Sequence, residues 1–202
     1  MGLSNSETTL SDILMRYDSK NAPFRSTYQR QAFPFRDTLI RYITNNPSSA
    51  KVYQKMIQSC KYFFIKNPII IIPKLCSDDA GWYTQVSRPS KNRRSVSLNE
   101  LTSKIWVTDL LSVCWSTPTL LAVASFMQKI YQCDATSVFI RRQMFSFNDL
   151  MIIASKSEML DLSNVVVINN DEIVPKKDQF YFEAAVSLEA LLKALPNVKN
   201  FT

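Results

Sequence analysis

The sequence predicts an α/β fold: a short helical module over residues 33–66, then irregular helix/strand units over 67–202, behind a flexible lead at 1–32. Three observations carry this. A serine-headed hexad recurs three times, each time where a helix could begin. Two amphipathic helical patterns joined by a proline-bearing turn occupy 33–64. Short β-branched runs such as Ile69-Ile70-Ile71-Ile72 and Val165-Val166-Val167-Ile168 alternate with these helical patterns.

The hexads are Val96-Ser97-Leu98-Asn99-Glu100-Leu101, Phe145-Ser146-Phe147-Asn148-Asp149-Leu150 and Val186-Ser187-Leu188-Glu189-Ala190-Leu191. Each serine is placed to accept an orphan backbone N–H as a helix N-cap. Glu100 completes a capping box in the first copy, and Asp149 stands there in the second. The apolar residue before each serine and the leucine four after it have the spacing of a hydrophobic staple. The copies are 49 and 41 residues apart, which suggests a repeated unit. At the 41-residue offset Leu150 falls on Leu191, Ala154 on Leu195 and Leu160 on Phe201 without a gap. Each unit then reads as helix, tight turn and short strand, with Pro196-Asn197 supplying turn chemistry. That is the grammar of a leucine-rich-repeat-like array, with units longer than the ~20–29 residues of regular ones.

In the helical module, Pro34 suits a helix start. Phe35, Leu39, Tyr42 and Ile43 share one helical face, and Asn45-Asn46-Pro47 stops the helix. A second helix begins after Ser48 or Ser49, carries Val52, Met56, Ile57 and Cys60 on one face, and ends near Phe63-Phe64. Beyond it, Ile69–Ile72 reads as a buried strand limited by Pro68 and Pro73. Residues 76–95 read as a polar loop. Ile105-Trp106-Val107 and Val138-Phe139-Ile140 read as strands, and Thr117-Pro118 opens an apolar core helix through Ile130.

Composition narrows the function. There is no histidine, which removes Ser-His-Asp and Cys-His catalysis and every histidine metal site. Only two glycines are present, and no Gly-rich phosphate loop exists. Cys60, Cys76, Cys114 and Cys133 form no CxxC pair and read as buried free thiols. The expectation is therefore a protein that is not an enzyme and needs no cofactor or metal. No run reaches the ~18–20 apolar residues of a membrane span, and no signal peptide is visible, so an intracellular location, cytoplasmic or nuclear, is the default. Met1-Gly2-Leu3-Ser4-Asn5-Ser6 fits an N-myristoylation pattern at Gly2, which alone would bind membranes only weakly.

The net charge of +7 is uneven: residues 1–129 hold 17 Lys/Arg against 8 Asp/Glu, and 130–202 hold 7 against 9. A basic front half suits an acidic protein surface or nucleic acid, although scattered cations usually form a solvated face. Lys91, Arg93 and Arg94 near Trp82-Tyr83 are the residues a single-stranded nucleic acid would use.

Phe33-Pro34, Leu39-Ile40, Ile43, Pro47, Val52 and Ser59-Cys60-Lys61-Tyr62-Phe63-Phe64 fall in the order of an F-box. Lys66-Asn67-Pro68-Ile69, Lys104-Ile105-Trp106-Val107-Thr108, Ile130-Tyr131-Gln132-Cys133-Asp134 and Leu195-Pro196-Asn197-Val198 continue the likeness. The chain resembles the large nematode-expanded set of F-box-like proteins with irregular leucine-rich-type C-terminal repeats. The resemblance implies a Skp1-type adaptor as partner, an unknown protein substrate held by the repeats, and service to a cullin ubiquitin ligase. It places adaptor contact on Phe33, Pro34, Leu39, Ile40, Ile43, Val52, Met56 and Phe63. The same residues would alternatively pack onto the repeats as a hydrophobic cap. Lys176–Ala185 reads as an insertion before the third hexad. The chain stops at Thr202 just after a repeat strand would begin, and a truncated array would leave an uncapped apolar edge there.

Overall fold

A computed structural model describes residues 33–85, 93–114, 126–169 and 186–202. The lead at 1–32 with Gly2, Lys91, and the 176–185 insertion lie outside them. The chain divides into two compact units, Met1–Ile71 with Glu100–Ile105 and Ile72–Asn99 with Trp106–Thr202.

In the first unit the expected helix pair is a helix triplet: α1 (Asp37–Asn45), α2 (Ala50–Ser59) and α3 (Lys61–Lys66). Ser49 caps α2 by accepting the Val52 N–H at 3.2 Å. The second helix does not run on to Phe64 because Cys60 is extended, with φ −156° and ψ 128°. Its N–H closes α2 on the Met56 carbonyl, and its sulfur accepts the Tyr62 N–H at 3.4 Å to open α3. Tyr53 is fully buried and joins the pieces. Its hydroxyl donates to the Asn67 carbonyl and accepts the Ile69 N–H. The Asn67 side chain in turn donates to the Thr44 carbonyl at the end of α1, 2.8 Å away.

The described strands are β1 (Ile69–Asp78), β2 (Gly81–Gln85), β3 (Arg93–Ser95), β4 (Lys104–Cys114), β5 (Ile130–Cys133), β6 (Ser137–Arg141), β7 (Met144–Ser146), β8 (Met159–Ser163), β9 (Val166–Ile168) and β10 (Asn200–Phe201). Helices α4 (Phe147–Ala154) and α5 (Leu188–Ala194) complete the second unit. One sheet runs β10-β8-β6-β4-β1-β2-β3 with β5 also on β4, and β7 pairs with β9 in a second, two-stranded sheet. The protein is thus mixed α/β with a mostly sheet core.

Several expectations change here. Strand β1 passes through Pro73, which is exposed and lies beyond the Leu75–Asp78 stretch that pairs with β2. The N–H that proline lacks is therefore not missed by β2. The polar loop at 76–95 contains a hairpin: Asp78 turns the chain by accepting the Ala80 N–H at 3.0 Å, and Gly81 takes φ +118°. That left-handed backbone suits glycine. The first hexad starts no helix. Residues 98–100 form a turn that buries Val96, Leu98 and Leu101, and β4 begins at Lys104, leaving no room for helical turns. The other two serines do cap helices: Ser146 accepts the Asp149 N–H and Ser187 the Ala190 N–H. Residues 126–129 are helical, but Ile130 opens β5 instead of ending a helix, and the rest of the helix expected from Thr117 lies outside the described residues. Cys76 and Cys133 are buried, Cys60 is half-buried and Cys114 is exposed.

Strands β4, β6, β8 and β10 are parallel and in register, so Leu111, Val138, Leu160 and Phe201 form one column across the sheet. The first three are fully buried, and Phe201 on the outer described strand is 36% exposed. The pairing of Phe201 with Leu160 is the one the 41-residue offset predicts.

The steps between paired parallel strands are unequal: 27 residues from Leu110 to Ser137, 22 from Ser137 to Met159 and 41 from Met159 to Asn200. Met159 follows its partner Ser137 by 22 residues, and Val166 follows its partner Met144 by 22. The two left-handed residues, Arg142 (φ 55°) and Asn164 (φ 56°), are also 22 apart. Each unit is a sheet strand, a left-handed turn and a short second strand. In one unit β7 runs straight into α4. In the next, the Val186 N–H returns to the Val167 carbonyl at 2.8 Å before Ser187 starts α5. The 19 positions from Val167 to Val186 lengthen that unit to 41.

The turns entering the strands are bonded to one another. Asp134, before β6, accepts the Trp106 indole N–H at 2.8 Å, the Gln132 amide at 2.7 Å and the Lys156 ammonium at 2.6 Å. Burial pulls the Asp134 carboxyl upward, but the Lys156, Gln132 and Trp106 hydrogen bonds outweigh it and hold it below its usual range. Asn197 donates to the Ser155 carbonyl at 2.8 Å, and Lys199 pairs with Glu158 at 3.0 Å.

Leu160→Ala should lower unfolding free energy in urea by about 2–5 kcal/mol, since it empties a fully buried site, while Phe201→Ala should cost much less. A carboxylate whose folded pKa is depressed adds stability above its unfolded pKa, about 3.9, and loses it as pH falls through the folded value. Wild type should therefore lose more stability than Asp134→Asn on acidification from about pH 5 to 3, as read by chemical denaturation.

Candidate functional site

The most exposed apolar row among the described residues of the first unit lies on α1. Within α1, positions 39, 42 and 43 fall on one side and positions 40 and 44 on the other. The side holding Ile40 and Thr44 is buried, and Thr44 also returns its hydroxyl to the Ile40 carbonyl at 2.6 Å. The other side is open: Leu39 is 45% exposed, Tyr42 67% and Ile43 39%. Phe35, expected on the same helical face, precedes the extended N-cap Arg36, because the helix starts at Asp37 and not at Pro34; it is 59% exposed. On α2, Val52 is exposed as well. Large apolar side chains exposed together, in a segment otherwise polar, mark contact surfaces more often than chance.

The eight residues expected at an adaptor contact separate into groups. Pro34, Leu39, Ile43 and Val52 are exposed, and Met56 is half-buried. Phe33 and Phe63 are half-buried in an aromatic cluster, with Phe33 5.0 Å from the Tyr62 ring and 5.7 Å from Phe63. Ile40 is 5% exposed and supports α1 from behind, offering almost no surface to a partner. Tyr42 joins the open side, as its helical spacing signals, and Phe35 is exposed just ahead of the helix.

Of the basic and aromatic residues that would serve a nucleic acid, Trp82, Tyr83 and Arg93 make contacts within the second unit. Trp82 is buried and stacks on Phe126 with centroids 4.6 Å apart. Arg93 pairs with Asp78 at 3.0 Å and lies over the Tyr83 ring at 4.5 Å. Asp78 is thereby a turn and ion-pair residue. Among the described residues no group of three or more His, Cys, Asp or Glu side chains could hold a metal. Burial pushes the Cys133 thiol up to about 11, against a backbone hydrogen bond from Ala135, and raises Cys76 as well. Both stay protonated near neutral pH and are poor nucleophiles. No described helix is long and apolar enough to cross a membrane.

Compared with known proteins, the chain matches no family model, no curated protein and no solved structure.

The two sides of α1 should respond differently to charge. Leu39→Asp should stay within about 0.5 kcal/mol of wild type, as surface changes do, whereas Ile40→Asp buries an unpaired carboxylate and should unfold the helical unit. Far-UV circular dichroism during thermal melting distinguishes them.

Proposed function

We propose that this chain is a protein-recruiting subunit that carries an F-box-like helical module and a leucine-rich-repeat-like array. In this reading the helical unit docks on a Skp1-type adaptor of a cullin ubiquitin ligase, and the strand and helix units receive the protein to be ubiquitinated. The observation that carries it is the open apolar side of α1, formed by Leu39, Tyr42 and Ile43, with Phe35 exposed just before the N-cap. Such a side lays into an apolar groove through anchors at helical spacing. The order of motifs along residues 33–64 supports the adaptor as the owner of that groove. Steps of 27 and 22 residues between paired parallel strands, both within the ~20–29 residues of leucine-rich repeats, support the second half of the reading. Repeat arrays of this kind hold protein ligands on an extended surface.

The full chain should co-purify with a Skp1-type adaptor, and Leu39→Asp with Val52→Asp should abolish the association while leaving the circular dichroism spectrum unchanged. A folded wild-type chain that leaves the adaptor behind would reduce the helical unit to a structural part of a repeat scaffold.

A further inference from the structure

We propose that the surface this helical unit contacts is acidic: an apolar groove on a partner protein, rimmed by Asp and Glu side chains. The inference rests on the docking reading above and adds the partner's charge.

Between Phe33 and Lys66 the chain carries six cations, Arg36, Arg41, Lys51, Lys55, Lys61 and Lys66, against the single acid Asp37. All six are exposed. The excess is local, because residues 130–202 hold 7 Lys/Arg against 9 Asp/Glu. Where the cations stand is the second observation. Arg36 occupies the N-cap of α1 with no side-chain cap hydrogen bond, and Lys51 lies in the first turn of α2, which holds no acid. Lys61 opens α3 in the same way. Aligned peptide dipoles make a helix start positive, so a cation is disfavoured there and a carboxylate favoured. Local folding does not ask for these charges, and departures of that kind concentrate where function makes its own demand.

Arg36 directly follows Phe35 and Arg41 directly precedes Tyr42, so guanidinium groups neighbour the apolar row along the chain. Guanidinium pairs with carboxylates through two parallel hydrogen bonds, and oppositely charged surfaces speed encounter and fix register. A nucleic-acid backbone would satisfy the cations but leave Leu39 and Ile43 with no apolar surface to meet. An acidic protein groove satisfies both.

The test measures binding of the full chain to a Skp1-type adaptor by biolayer interferometry, at about 50 and about 500 mM NaCl, a range over which the Debye length falls severalfold. Wild-type affinity should drop about tenfold or more with added salt, mostly in the association rate. Arg36→Glu with Lys51→Glu should lose about tenfold or more at low salt and little further at high salt. These substitutions put carboxylates at helix starts, where they are favoured, so the double variant should melt at or above the wild-type temperature. If the double variant binds as wild type at both salts while Leu39→Asp does not bind, the acidic rim is overturned and the docking reading stands. If wild type binds no adaptor at either salt, the docking reading falls and the acidic rim with it. Phosphatidylserine vesicles and single-stranded RNA run alongside. Tighter binding to either than to the adaptor, lost in the double variant, would give the cations to another class of partner and overturn the proposal.

Discussion

The second unit depends on the in-register parallel pairing of β4, β6, β8 and β10. Parallel strands cannot be joined by a tight hairpin, so each must be followed by a crossover that returns to the same end of the sheet. Helices α4 and α5 belong to such crossovers, and Ser146 and Ser187 set where they begin. Register then dictates the core, because like positions stack on like: Leu111, Val138 and Leu160 fall in one column, and Val113 and Ile140 in another. A slip of one residue would turn each column out to the opposite face. The bonds that prevent a slip lie at the strand entrances, where Asp134 gathers Trp106, Gln132 and Lys156. The left-handed turns at Arg142 and Asn164 act at the other end, where the Arg142 N–H reaches the Ser163 carbonyl.

The first unit is organised by one residue in a comparable way. Tyr53 is large, fully buried and polar at its tip, so its hydroxyl needs partners inside the protein. It finds them at Asn67 and Ile69, and Asn67 carries the connection to the end of α1. That fixes which side of α1 faces inward. Once Ile40 and Thr44 are committed to the interior, the remaining apolar side chains of the helix have nowhere to go but outward.

What could be read from the sequence was local chemistry. A serine before an apolar helix announces a cap, and at Ser146 and Ser187 it is one. The same signal at Ser97 misleads because its competitor lies a few residues on: Lys104 already belongs to a strand, and the pull of the sheet on Ile105-Trp106-Val107 outweighs the cap. The 22-residue step was hidden because β7 and β9 share little beyond apolar character, and the second left-handed turn uses asparagine where the first uses arginine. The bonding role of Asp134 had no local signal, since two of its partners, Trp106 and Lys156, stand 28 and 22 residues away. On the candidate surface, the amphipathic spacing of α1 was legible. Which of the neighbours Leu39 and Ile40 faces outward was not, because that choice belongs to Tyr53 and Asn67.

The hydrogen bond from Val186 back to Val167 gives the chain a place to change without consequence for the rest. It holds two residues 19 positions apart side by side, at the seam between a finished short strand and a helix about to start. Whatever lies between them begins and ends at one point on the structure. A lineage could thus lengthen, shorten or exchange this stretch while the columns of the sheet keep their register. Variation inside β8, a few residues before the seam, would disturb those columns directly.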